Sequence, residues 1–477
     1  MHPPGTTTPS LAISDSEFRA LAARMTGLIA DFYARLEEMR AYPQTSGVAA
    51  TRAFEAPLPV LGLKAEALDA LDQVVRLSRP PSPRFFGYVL GSGEPVAALG
   101  DLLASVLNQN VTAWRSAPAA VTIERVVVRW IAEAIGCPGF TGSLCGGGSS
   151  ANLMALAMAR EARAPANDEG ARPGTVYVSS ETHMSMAKAI GLLGLGRNNM
   201  RVVPVDARLR MQVAELVRMI EEDRAAGREL IAVVASAGTV STGAIDPLGE
   251  IASVCDRYGL WLHVDGAYGA LAAMACPEKF TGLERADSLS ADLHKWLYQP
   301  MDCGLLLFRD ADLARCTFAH TGEYARVLDA PDIEGFAFFE ESFELSRRFR
   351  ALKVWLSLRY HGLEAFREAI RADLRHAAEL AERLRACPEL ELLAPTDLSA
   401  ICFRYRSADR ARDTDALNMA ILRRVIDNGR VYLSNASVHG QVALRACFVN
   451  HRTRAADVGE IVTEVLEAAR SILVQRD

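Results

Sequence analysis

Trp261-Leu262-His263-Val264-Asp265-Gly266-Ala267-Tyr268 is the stretch on which the fold class turns. It is a short apolar run that ends on a carboxylate and is followed by small residues. A strand that delivers an acid at its C-terminal end fits an open α/β sheet, where ligands bind beyond the carboxyl ends of the strands. The same texture repeats outward. Residues 175–178, 200–205 and 230–235 upstream, and 304–308 downstream, are short and β-rich. Helical patterns at 150–163, 187–193, 213–226 and 247–258 separate most of them. Such alternation predicts an α/β domain with a mostly parallel sheet covered on both faces.

The flanks read differently. Phe18, Leu21, Met25, Ile29, Phe32 and Leu36 recur at helical spacing within 14–40, and Ser14 with Glu17 makes a capping box. Pro80, Pro81 and Pro83 then form a rigid hinge. After 350 come helices at 348–360 and 363–385, strands at 400–405, 431–433 and 442–448, and helices at 415–427 and 455–472. The expected organisation is an N-terminal helical dimerisation segment (1–83), a large domain (84–360) and a small C-terminal α+β domain (361–477).

Composition excludes several classes. Half of the 477 residues are apolar and 23% are charged, which is not the make-up of a disordered chain. Lys plus Arg is 52 against 58 Asp plus Glu, so a net charge of −6 provides no basic face for nucleic acid. No apolar run approaches the ~20 residues that span a bilayer. Residues 1–10 hold no Lys or Arg and do not read as a secretory signal. Nine cysteines without a CxxC pair suggest reduced thiols in a cytoplasm, with neither a disulfide framework nor a metal site.

Three constellations carry chemistry. Cys145-Gly-Gly-Gly-Ser-Ser-Ala-Asn152 enters a helix, and such a turn offers backbone N–H groups to a phosphate, or is simply a loose loop with Ser149 as its cap. Asp265 ends its strand as a ligand-facing acid, or as a helix cap or salt-bridge partner. His263 lies two residues earlier on the same face, but no third ligand makes a metal site of the pair. Lys295, in Asp292-Leu-His-Lys-Trp296, is either a snorkelling surface residue or a nucleophile drawn into an apolar site. Together an anion cradle, a fixed carboxylate and a reactive Lys suit pyridoxal 5′-phosphate (PLP).

On these residues the chain resembles the group II PLP-dependent amino-acid decarboxylases, the family of aromatic-L-amino-acid decarboxylase. The resemblance also rests on Pro83-Arg-Phe-Phe-Gly87, Trp130, Thr182-His183, Ala237-Gly-Thr239, Gly243-Ala-Ile-Asp246-Pro247, Asp302-Cys-Gly304 and Ser346-Arg-Arg-Phe-Arg-Ala-Leu-Lys353. It implies the fold-type-I, aspartate-aminotransferase-like architecture and a homodimer with shared active sites. In that reading Lys295 holds the cofactor aldehyde, Asp265 faces the pyridine nitrogen, and His183 and Ala267 flank the ring. Gly148, Ser149, Thr239, Asp292 and His294 complete the cofactor site, although a carboxylate at 292 would repel a phosphate. Tyr324 is the expected proton donor to the product carbon, with His183 assisting. Arg347, Tyr88 and Trp114 are expected at the substrate, Arg347 having a helix-start salt bridge as its alternative.

The chain departs from the family pattern at Ser82-Pro83, at Val121-Thr-Ile-Glu124 and at Val240. The expected activity is decarboxylation of an aromatic L-amino acid to its amine. Glutamate or aspartate is the alternative substrate if Arg115 or Arg347 binds a second carboxylate. An aldehyde synthase on the same scaffold, a transaminase and a non-catalytic PLP-binding protein are the other readings.

Overall fold

Residues 11–320, 332–407 and 413–474 are described by the computed structural model of the chain. Three helices come first: α1 (Asp15–Arg35), α2 (Gly47–Phe54) and α3 (Leu71–Leu77). Ser14 caps α1 by accepting the Glu17 N–H at 3.1 Å, one half of the expected capping box. The helix stops at Arg35, short of Arg40, and its cap residue Leu36 is buried. None of the three helices buries a residue of its own. Helices α4 (Pro95–Leu107) and α5 (Pro118–Ala134) follow, each opened by a proline whose missing N–H costs nothing there.

The alternating region runs β1 (Thr141–Cys145), α6 (Gly148–Arg163), β2 (Thr175–Ser179), α7 (Ser185–Leu192), β3 (Met200–Val203), α8 (Val213–Ala225), β4 (Leu230–Ser236), α9 (Leu248–Tyr258), β5 (Trp261–Asp265), β6 (Ser288–Asp292), α10 (Leu293–Trp296), β7 (Gly304–Phe308) and α11 (Ala311–Phe318). Its strands form one seven-stranded sheet in the order β1-β7-β6-β5-β4-β2-β3. The pairs β2/β3, β2/β4, β4/β5 and β5/β6 are parallel, whereas β7 runs antiparallel to both β6 and β1. The chain between β6 and β7 holds one short helical turn, too little for the crossover that a parallel partner needs. β3 ends at Val203 because Pro204 has no N–H to continue the ladder.

Separate apolar clusters cover the two faces of this sheet. One joins α5, α8 and α9 to it, and the other joins α6, α7 and α11. β4, β5 and β6 end side by side on Ser236, Asp265 and Asp292, so three polar side chains share one edge of the sheet.

The chain continues through α12 (Ala351–His361), α13 (Leu363–Ala386), β8 (Leu390–Leu392), β9 (Ala400–Tyr405), α14 (Thr414–Asn428), β10 (Ser434–Val438), β11 (Gln441–Cys447) and α15 (Ala455–Val474). The second sheet is antiparallel, in the order β10-β11-β9-β8, and packs on α13, α14 and α15. The strand expected at 431–433 is instead a crossing point. Tyr432 exchanges backbone bonds there with Arg84 and Phe86, at 3.0 and 2.9 Å, and the strand proper is the next segment, β10.

Candidate active site

A cavity of about 280 Å³ opens at the shared strand edge, between the start of α6, the ends of β4, β5 and β6, and α10. It brings together Gly148, Ser149, His183, Thr239, Asp265, Ala267, Asp292, His294 and Lys295. These are nine of the residues that the sequence points to. They come from distant parts of the chain because parallel strands all end on one side.

The cradle is built from backbone. α6 starts at Gly148 without a side-chain cap, and the Gly147 carbonyl takes the N–H groups of Ser150 and Ala151. The amides of the first turn otherwise lack partners, so this end of the helix favours an anion. Glycine is required here. Gly147 has φ +142°, and a Cβ on Gly148 would lie 2.7 Å from the Ala267 Cβ and 3.1 Å from Asp292 Oδ2.

Asp265 is 8% exposed and fully hydrogen-bonded. Its Oδ1 accepts the Ala267 N–H and the Ser290 hydroxyl, both at 3.2 Å, and its Oδ2 accepts the Asn152 side-chain amide at 3.1 Å. A carboxylate fixed in this way suits the pyridine nitrogen of PLP. Lys295 Nζ lies 2.8 Å from Asp292 Oδ2 on the single turn of α10. His294 is buried beside them, and desolvation drives its imidazole below the ordinary value against the pull of Asp292. His183 is half-buried, with its Nδ1 2.8 Å from Ser185 Oγ. Thr239 is buried, its hydroxyl accepting the Ala244 N–H at 3.1 Å.

The donor set therefore fits PLP: an anion cradle at a helix start, a lysine, an imidazole and a hydrogen-bonded acid around one cavity. Asp292 is the exception. Its Oδ1 is buried against the cradle and has no hydrogen-bond partner. Among the described residues no cluster of three or more His, Cys, Asp or Glu is arranged to hold a metal.

The three residues expected at the substrate are not in this cavity. The Arg347 side chain is 0% exposed and spent on structure. It pairs with Glu124, donates to the carbonyls of Val111 and Leu144 at 2.7 and 2.8 Å, and lies over the Phe338 ring at 4.2 Å. The two terminal nitrogens of its planar guanidinium lock it between α5, β1 and the loop before α12. Tyr88 is exposed and meets Tyr432, the two hydroxyls being 3.2 Å apart. Trp114 donates to Thr122 on α5 at 3.3 Å. Tyr324 falls outside the described residues.

The structure gives Asn152 and His263, which the motifs contain without a role in the cofactor site, partners there, and it adds Glu181. Asn152, one helical turn after Gly148, reaches both Asp265 and Ser185. His263, buried two residues before Asp265, holds the other side of that amide at 3.0 Å. Glu181 also lines the cavity, and its carboxylate forms no ion pair among the described residues.

The family model for the pyridoxal-dependent decarboxylase conserved domain matches residues 53–406. An aromatic-L-amino-acid decarboxylase of Bacillus atrophaeus is 36% identical over 400 residues, which cover 82% of each chain. An L-2,4-diaminobutyrate decarboxylase of Rhizobium meliloti is 32% identical, covering 79% of this chain and 76% of its own. The crystal structure of Oryza sativa TDC with PLP and tryptamine superposes with a TM-score of 0.90 at 27% identity, covering 97% of this chain and all of the other.

Proposed function

The chain belongs to the pyridoxal-dependent decarboxylases and is a PLP-dependent amino-acid carboxy-lyase of fold type I; on that premise we propose that it converts an aromatic L-amino acid to its amine and carbon dioxide. The observation that carries the choice of substrate is the charge of the cavity wall. Among its described residues Lys295 is the one Lys or Arg, while Glu181, Asp265 and Asp292 are acids. An acidic side chain would need a cation to replace its lost hydration. Arg347 is committed elsewhere, and Arg115 is exposed outside the cavity. Val89, Leu90, Val240 and Met301 supply an apolar side instead.

PLP, when bound, supplies the sink for the electron pair left as the Cα–carboxylate bond breaks. Lys295 is the residue that would hold its aldehyde, and the amides at the start of α6, with Ser149, would take its phosphate. Asp265, held in place by the donors Asn152, Ser290 and Ala267, would face the pyridine nitrogen and pair with its proton. His183 and Ala267 would confine the ring from its two sides. Tyr324, with His183, would deliver the proton that Cα takes in place of the carboxylate, so one proton is consumed for each carbon dioxide released.

A homodimer is the proposed assembly. Leu99, Leu102, Leu103, Val106 and Leu107 recur at i, i+3, i+4, i+7 and i+8 along α4, and each is between 47% and 65% exposed. Phe18 and Ile29 of α1 are exposed as well. An apolar stripe of this kind is a surface for another chain, and a second copy is the proposed occupant. All nine cysteines are free, which suits a reducing cytoplasm.

One observation favours a second substrate. Glu181 is an uncommitted acid in the wall, its carboxyl raised above the ordinary value by burial and opposed only by His439. A substrate with a cationic side chain, such as L-2,4-diaminobutyrate, would pair with it.

The test is to incubate the holoprotein with each L-amino acid and measure carbon dioxide, amine and peroxide together. Equal carbon dioxide and amine from tryptophan, tyrosine or phenylalanine, lost in Lys295→Ala, is the expected result. Faster turnover of diaminobutyrate or glutamate would overturn the aromatic assignment. Peroxide with aldehyde would replace the decarboxylase by an aldehyde synthase.

A further inference from the structure

Four buried side chains behind the cavity form one chain of hydrogen bonds. Trp261 Nε1 lies 2.8 Å from Ser288 Oγ, and an indole can only donate. The Ser288 hydroxyl has thereby accepted one bond, and its own proton is free for His263 Nδ1 at 3.0 Å. His263 is fully buried, and desolvation pushes it down to about 4, against the pull of Asp265, so it is neutral and carries one proton. Its Nε2 lies 3.0 Å from Asn152 Oδ1, and because the Asn152 NH2 is turned to Asp265, Nε2 is the nitrogen that carries the proton.

The Asn152 amide then has one orientation. Its NH2 group faces Asp265 Oδ2 and Ser185 Oγ, both at 3.1 Å. The reverse orientation would set an oxygen against the carboxylate and an NH2 against the His263 N–H. Ser185 Oγ, having accepted from Asn152, donates to His183 Nδ1 at 2.8 Å, and the Ser185 backbone N–H donates to the same nitrogen at 3.2 Å. Nδ1 of His183 is therefore an acceptor twice over.

We infer that Asn152 is a positioning residue that joins the two cofactor-facing groups of the site: its amide holds the Asp265 carboxylate in place and, through Ser185, fixes His183 as the tautomer protonated on Nε2. The inference rests on the roles proposed above for Asp265 and His183. The direction of the relay is set by the Asp265 carboxylate, which accepts the Asn152 NH2, and by the Ser185 backbone N–H, which donates to His183 Nδ1; His183 is thereby a proton donor toward the cavity. A flipped ring or the other tautomer would present an acceptor there and lose the Ser185 bonds.

The experiment reads the ring nitrogens of His183 by 15N NMR in cofactor-free protein, identified with His183→Gln. Wild type is expected to show Nδ1 unprotonated and Nε2 protonated. In Ser185→Ala, which removes one hydroxyl at the start of α7, the tautomers are expected to mix. In the PLP-loaded enzyme kcat should then fall about 10- to 100-fold while KM moves within about twofold. Asn152→Leu should add a loss of about tenfold or more in PLP affinity, because Asp265 loses a donor. Wild-type His183 protonated on Nδ1 would overturn the inference, as would a Ser185→Ala protein with unchanged ring-nitrogen shifts and kcat. The NMR measurement needs neither cofactor nor turnover, so it stands apart from failure of the decarboxylase assignment.

Discussion

Lys295 Nζ is paired with Asp292 Oδ2 at 2.8 Å, and the other oxygen of that carboxylate is buried at the glycine cradle without a partner. Two costs of cofactor binding follow from one acid. In the proposed site the ion pair would have to part for Lys295 to reach an aldehyde, and a phosphate on the glycine cradle would then lie near the Asp292 carboxylate. Asp292→Asn removes both costs. Its apoprotein should bind PLP at least about tenfold more tightly, ~1.4 kcal/mol. Titrating apoprotein with PLP by fluorescence measures this, and equal or weaker binding would show that the acid assists the phosphate.

Arg347 separates a structural role from a substrate-binding one. Removing it would leave Glu124 charged and buried, with two carbonyls unpaired. Arg347→Ala should lose ~3–5 kcal/mol of stability, and Arg347→Lys should recover little of it, since an ammonium cannot span three partners in a fork. Chemical denaturation reads both variants. A lysine variant with unchanged stability but a raised KM would return Arg347 to the substrate.

The site was legible in sequence wherever one short motif holds both the chemistry and its place in the fold. Asp265 ends a strand, Gly148 opens a helix, and Lys295 follows a strand at once, so their convergence follows from a parallel sheet. Arg347 was not legible, because its position after Ser346 does not say which way a guanidinium points. Asn152 was visible as a motif letter. Its partners Ser185 and His263 meet it only once β5 lies beside α6 and α7. In the fold, β10 was missed because Ser434-Asn-Ala-Ser-Val438 is polar and half exposed, with little of the β-branched, apolar signature of a strand.

The apolar stripe on α4 predicts the oligomeric state. Leu103→Glu with Val106→Glu would place two charges in the middle of the proposed contact without touching the buried face of the helix, which is Ala97, Gly100 and Ala104. The variant should run as a monomer in light scattering where wild type runs as a dimer, and should keep its circular dichroism. A wild-type monomer would remove the homodimer from the proposal. A double variant that stays dimeric would move the contact off α4.

Asp373 on α13 ties the lysine turn to the C-terminal part of the chain. Its Oδ2 accepts the Trp296 indole at 3.0 Å and the Tyr298 hydroxyl at 2.8 Å, one and three residues after Lys295. Burial pushes the carboxyl up to about 7, over the opposing pull of those two donors. The folded chain thus holds this proton more tightly than the unfolded chain, where an aspartate titrates near ~3.9. The stability gained is full below the unfolded value, declines as pH rises, and is gone above about 7. Asp373→Asn keeps an acceptor for both donors and cannot ionise. Melting temperatures of the two proteins should therefore diverge from pH 5 to pH 8, wild type losing ground to the variant as the pH rises. A constant difference across that range would mean that Asp373 is ionised throughout, and that Trp296 and Tyr298 are held by a charge.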